Sequence, residues 1–115
     1  FHFLSYIVEV DGVTIFHAGD TVPYEGQTDY FKDFDVDVAM LPINGYQLPE
    51  LEFEPNFSIA EAIDFAKEIK AKTVIPMHYD MYTLNTVNIA EFVKAAEGNI
   101  NYRVAQNGIP FRITL

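Results

Sequence analysis

The chain contains no cysteine. That absence rules out disulfides, a thiolate metal site and a cysteine nucleophile. No stretch reaches the roughly 18 apolar residues of a membrane span. The opening residues carry no basic-then-apolar leader pattern. Basic residues are scarce, 7 Lys and Arg against 17 Asp and Glu, for a net charge of −10. Nucleic acid and anionic membranes are bound through clustered Lys and Arg, and no such cluster occurs. A Gly-rich phosphate loop, a Ser-nucleophile motif and a CxxC pair are also missing. These absences lead us to expect a cytoplasmic protein with no nucleic-acid or membrane partner.

What is present is enough to build a core. The 115 residues are half hydrophobic and 15% aromatic, with ten Phe and seven Tyr. That is the size of one small domain, and the composition argues against disorder. We therefore read residues 1–115 as a single unit. The chain is already strand-like from Phe1 to Val8. Domains seldom start inside a core element, so the expectation is that an upstream segment precedes this one.

Residues Leu4 to Val10 read as a strand, Asp11-Gly12 as a two-residue hairpin turn, and Val13 to Phe16 as the return strand. Val22 to Gln27 reads as a loop, and Thr28 to Lys32 as one helical turn. Val36 to Leu41 is a nearly continuous apolar run closed by Pro42, which fits a strand covered on both faces. Asn44 to Asn56 shows no periodicity, and loops of that length are usually functional or mobile. Ser58-Ile59-Ala60-Glu61 is a capping box with Phe57 as its hydrophobic staple. Ile59, Ala62, Ile63, Ala66 and Ile69 then share one helix face. Thr73 to Met77 is the next buried strand. Asn88 opens a second capped helix, with Ile89, Phe92, Val93 and Ala96 inward and Gly98 beyond its end. Asn107-Gly108 predicts a closing hairpin of strands Asn101 to Ala105 and Pro110 to Leu115.

Two strings carry the chemistry. His17-Ala18-Gly19-Asp20-Thr21 ends one apolar strand, and Pro76-Met77-His78-Tyr79-Asp80 ends another. Each sets a metal-competent side chain, Asp20 or His78, where a strand opens into a loop. A carboxylate and an imidazole there suit a metal that activates water. They are too few for a complete site, because a catalytic zinc usually takes three protein ligands. Taken alone, Gly-Asp-Thr reads first as an ordinary turn with Asp20 capping local N–H groups. Thr21 could also orient the carboxylate. A lone His such as His78 is more often a core histidine bonded to backbone than a ligand. His17 reads as structural or orienting ahead of ligating, and His2 has the weakest claim. Asp80 either accepts a hydrogen bond from an imidazole or caps the next turn. Asn44-Gly45, Asn56 and Asn85-Thr86 read as turn or cap residues. Tyr46, Tyr79 and Tyr82 read as packing ahead of pocket lining.

Five strings in order, HAGDT, DVAMLPING, NFSIAEA, VIPMHYDMY and NT, resemble the C-terminal half of the metallo-β-lactamase-fold hydrolases. The branch they are most similar to is that of L-ascorbate-6-phosphate lactonase. The resemblance implies an α+β fold, half of an αββα sandwich with one sheet and flanking helices. It implies that Asp20 bridges two divalent metal ions, Zn or Mn, and that His78 ligates one of them. The family's HxHxDH motif and one further His would lie upstream, and no HxHxDH occurs here. His17 receives no ligand role.

The implied activity is hydrolysis of a small ester or lactone by a hydroxide held between the metals. The segment alone would then be inactive and bind metal weakly or not at all. Its first partner would be the missing N-terminal half of the fold. The alternatives are a non-catalytic interaction module that forms homo-oligomers through the exposed sheet face, and a phosphodiesterase of the same fold. The acidic balance counts against the phosphodiesterase.

Overall fold

Asp11 and Gly12 both adopt left-handed backbone, with φ of 49° and 77°. That pair of conformations makes the tight turn whose twist matches two antiparallel strands. It joins β1 (Tyr6–Val10) to β2 (Val13–His17) with Val10 opposite Val13 and Tyr6 opposite His17. The computed structural model describes residues 3–45, 56–80, 83 and 85–115. The helix α1 (Gln27–Phe31) and a 3-10 turn (Lys32–Phe34) return the chain to β3 (Val38–Pro42), parallel to β2. The helix α2 (Ile59–Glu68) leads to β4 (Thr73–Met77), parallel to β3, and α3 (Ile89–Ala96) follows. The strand order is β1-β2-β3-β4. Three parallel strands therefore release their C-terminal ends, His17, Pro42 and Met77, at one edge of the sheet.

The helices form where their caps demand. Ser58 Oγ accepts the Glu61 N–H at 3.2 Å, and the Glu61 carboxylate accepts the Ser58 N–H at 2.8 Å. The reciprocal box satisfies two N–H groups that the first turn would otherwise leave open. Asn88 caps α3 through the Ala90 N–H at 2.9 Å. The helix-side face of the sheet carries Phe16, Ala39, Leu41 and Val74, all buried, against Phe57, Ala62, Ala66, Phe92 and Ala96. Phe65, absent from the helix face read in the sequence, is buried too and stacks 5.8 Å from Phe16 and 5.3 Å from Phe57. Ile59, at the start of that face, is only half-buried.

The opposite face is less covered. Tyr6, Val8 and Val10 of β1 are 55%, 48% and 53% exposed. Their cross-strand neighbours Val13 and Ile15 are half-buried. Toward the centre, β3 is buried on both faces, as its unbroken apolar run predicts.

The two closing strands do not form. Asn101 to Ala105 meets β4 at a single parallel bridge, Val74 with Tyr102. Val74 donates to Asn101 O and accepts from the Arg103 N–H, both at 2.9 Å. Two residues on, the next outward-facing donor would be Pro76, which has no N–H. The ladder stops there. Gln106 and Ile109 form one bridge around the Asn107-Gly108 turn, and residues 110–115 add no strand. Among the described residues, no helix is long and apolar enough to cross a membrane.

Candidate metal centre

The first arm of the site is the turn after β2. Gly19 has φ 65°, and a Cβ there would collide with the Leu4 carbonyl oxygen. Conformation and space both call for glycine. The turn is closed by the His17 Nδ1, which accepts the Gly19 N–H at 3.1 Å. His17 thus shapes the loop. The next side chain, Asp20, is 56% exposed.

The second arm is the residue after β4. His78 sits in left-handed backbone at φ 65°, a conformation uncommon for a residue with a side chain. Its imidazole is 27% exposed, and Nδ1 lies 3.4 Å from Asp20 Oδ1. β3 separates the two strands that carry these residues, yet their side chains meet. Two ligand atoms on one tetrahedral zinc, each about 2.0–2.1 Å from the metal, stand about 3.3–3.4 Å apart. The observed separation and the hard-oxygen, imidazole-nitrogen donor pair both fit a shared divalent cation. Among the described residues, no group of three or more His, Cys, Asp or Glu side chains is placed to hold a metal.

Beneath this pair lies an amide network that sequence reasoning treated as separate turn residues. Asn44 and Asn56 are each 3% exposed. Asn56 Oδ1 accepts the Thr21 N–H at 3.1 Å, and its Nδ2 donates to Asn44 Oδ1 at 2.9 Å. The same Nδ2 lies 3.4 Å from His78 Nδ1. Asn44 Nδ2 in turn reaches the Asn85 carbonyl at 3.0 Å and its side-chain Oδ1 at 3.1 Å. The three asparagines join the loops that leave β2, β3 and β4. No spacing rule links residues 44, 56 and 85; only the parallel topology does. Gly45 helps hold the bundle, since its N–H donates to the Phe57 carbonyl at 2.7 Å.

Other candidates fall into place around it. The Thr21 hydroxyl bonds Val22 O and receives Gln27 Nε2, so it does not orient Asp20 as the sequence suggested. Asp80 is exposed, and its N–H donates to Thr86 Oγ1 at 2.9 Å. Tyr79 packs half-buried with its hydroxyl on the Ala105 carbonyl. Burial, and then the Asp80 charge, push its phenol above the usual range. His2, Tyr46 and Tyr82 lie outside the described residues.

Known proteins are similar to this chain in sequence and fold. Residues 4–78 match the family model of the beta-lactamase superfamily domain. A UPF0173 metal-dependent hydrolase of Myxococcus xanthus is 39% identical over 82 residues, 70% of this chain and 26% of that protein. Its counterpart in Methanoculleus marisnigri is 33% identical over 101 residues, 88% of this chain and 42% of that protein. A solved metallo hydrolase from the hyperthermophilic archaeon Ignicoccus hospitalis superposes with a TM-score of 0.73 at 26% identity. That match covers 94% of this chain and 46% of the solved one. The chain thus spans less than half the length of each of these relatives. With a family model spanning most of its length, and the same fold in a solved relative, the chain belongs to the metallo-β-lactamase superfamily.

Proposed function

We propose that this segment supplies part of a divalent metal centre in a hydrolase acting on a small ester or lactone. The observation that carries the reading is the 3.4 Å approach of Asp20 Oδ1 to His78 Nδ1 at the open edge of the parallel strands. Bound there, divalent cations such as Zn or Mn would polarise the scissile carbonyl and activate water. Asp20 would bring negative charge to the cations and, by its half-exposed position, face both them and solvent. His78 would complete the coordination of one cation from the β4 side. The left-handed turn at His78 and the buried asparagines below it would keep the imidazole from swinging away. A centre with two metals needs further ligands from the longer protein, as in the fold family. The lactonase-like substrate rests on the resemblance of the strand-end strings and on the acidic surface, which disfavours polyanions.

The test uses the full-length protein. Asp20→Asn and His78→Gln are each expected to lower metal content measured by elemental analysis. Each is also expected to cost at least about tenfold in turnover of a panel of lactones and carboxylic esters. Parent-level metal and turnover in both variants would refute the reading. A second reading, an assembly module, is favoured by the exposed Tyr6, Val8 and Val10 face. It predicts a metal-free, self-associating protein.

A further inference from the structure

We propose that the groove between the C-terminal ends of α2 and α3 binds a small organic phosphate through Lys67, Lys70 and Arg103. The inference does not depend on the metal centre.

These cations come from separate segments of the chain, and the fold brings them together. All three line a solvent-open cavity of about 1040 Å³. A hollow of about 440 Å³ adjoins it, sharing Arg103 and adding Lys72 and Arg112. Lys67, Lys70, Lys72, Arg103 and Arg112 thus gather at one end of a chain with only 7 basic residues and a net charge of −10. The bridge from Val74 to Tyr102 places this end where β4 begins, whereas the metal centre lies where β4 finishes. Four strand steps of about 3.3 Å, or about 13 Å, separate Val74 from His78.

The ordinary duties of such cations are already filled. A Lys at a helix end commonly serves the open carbonyls of the last turn. In α2, the Phe65, Ala66 and Lys67 carbonyls accept the N–H groups of Ile69, Ala71 and Lys70. In α3, Val93 O accepts the Glu97 N–H, Ala96 O accepts those of Asn99 and Ile100, and Ala95 O accepts Asn99 Nδ2. Among the described residues, Lys67, Lys70 and Arg103 form no ion pair. Glu97 is the single carboxylate on the lining of the groove, and it accepts the Tyr102 hydroxyl at 2.8 Å. Arg103 Cζ lies 5.8 Å from the centre of the Phe111 ring, a contact that steadies the guanidinium without consuming its N–H donors.

Two ammonium groups and a guanidinium offer many donors to a groove with few acceptors. A phosphate monoester answers them with about two negative charges and three terminal oxygens. Ala66, Ala71 and Ile100 on the same lining give an organic body apolar surface to rest on. The cavity is also large enough for such a body, since small-molecule pockets run to about 1,000 Å³. Salt confines the repulsion of distant surface carboxylates to about 8 Å, so the local cations govern the groove.

The experiment is calorimetric titration of the full-length protein at about 0.15 M salt. Glycerol phosphate and adenosine monophosphate are the probes, with inorganic phosphate, citrate and a single-stranded DNA oligonucleotide for comparison. At least one probe is expected to bind, and more tightly than any of the comparison ligands. Lys67→Ala, Lys70→Ala and Arg103→Ala should each weaken that binding about tenfold, the worth of a hydrogen bond to a charged group. All three side chains are exposed, and circular dichroism should show parent-like folding. Asp20→Asn should bind the probe as the parent does, which separates the groove from the metal centre. No heat with either probe overturns the proposal, as does parent-level affinity in all three groove variants. Loss of binding in Asp20→Asn moves the ligand to the metal centre and also overturns it. Equal or tighter binding of inorganic phosphate or citrate overturns the organic phosphate, and tighter binding of DNA replaces it with nucleic acid.

Discussion

Gly45→Ala isolates how tightly the site's scaffold is packed. A Cβ on Gly45 would fall inside contact distance of the Asn56 carbonyl oxygen and of the Phe57 carbonyl carbon and oxygen. All are backbone atoms, so no rotamer change relieves the overlap. The two segments must part, and the 2.7 Å bond from the Gly45 N–H to Phe57 O is the one that opens. Leaving that buried donor unpaired costs about 1–3 kcal/mol. Overpacking adds about 1–3 kcal/mol. The sum is about 2–6 kcal/mol. With a urea slope of about 2 kcal/mol per molar, the unfolding midpoint drops by about 1–3 M. Gly12→Ala serves as the reference, since Gly12 is left-handed at φ 77° but has no atom within 4 Å of a Cβ. There only the conformational cost of about 1–2 kcal/mol applies, partly offset in the unfolded chain. Urea titrations of both variants in the full-length protein, followed by circular dichroism, make the comparison. A Gly45→Ala midpoint equal to or above that of Gly12→Ala would refute the close-approach argument.

Two further outcomes follow from other parts of the fold. Asp37 is buried, accepts the Thr14 N–H at 2.8 Å and pairs with Lys72 at 2.5 Å. The Lys72 hydrogen bond, then the Thr14 N–H, holds its carboxyl below the usual carboxylate range. Its contribution is therefore full above the unfolded value and disappears as pH falls through the folded one. Melting temperature should decline from about pH 5 downward in the parent and decline less in Asp37→Asn. Equal slopes would remove Asp37 from the acid response. On the open face, the 115-residue segment expressed alone should self-associate in light scattering, and Val8→Lys should reduce that association. Association unchanged by the charge would locate it elsewhere.

Local signals in the chain announce most elements because their causes are local. The Ser58-Glu61 box and the Asp11-Gly12 turn need only neighbours in sequence, and both form as read. β4 was legible because Thr73 to Met77 is a short apolar run, and its bounds agree with those read in the sequence. The last two strands were not, because a turn dipeptide supplies a reversal but no partner, and Pro76 denies one. Phe65 escaped the helix-face reading because the aromatic cluster around Phe16 and Phe31 widens the buried stripe. At the site, Asp20 and His78 could be picked out as strand-end residues of ligating type. Their 3.4 Å separation could not, since it depends on β3 lying between their strands. The asparagine network was invisible for the same reason. An amide in a loop looks alike whether it caps a turn or bridges three loops.

His78 occupies a backbone region where glycine would rest at ease, and Asp80 and Asn85 share that condition at φ 55° and 56°. A residue with a side chain costs about 1 kcal/mol or more in such a conformation. On backbone conformation alone, glycine would be the favoured residue at position 78. The imidazole persists there against that gradient. Engineering that screens this protein only for heat tolerance is therefore liable to replace the imidazole assigned here to the proposed metal centre, and should hold position 78 fixed from the outset.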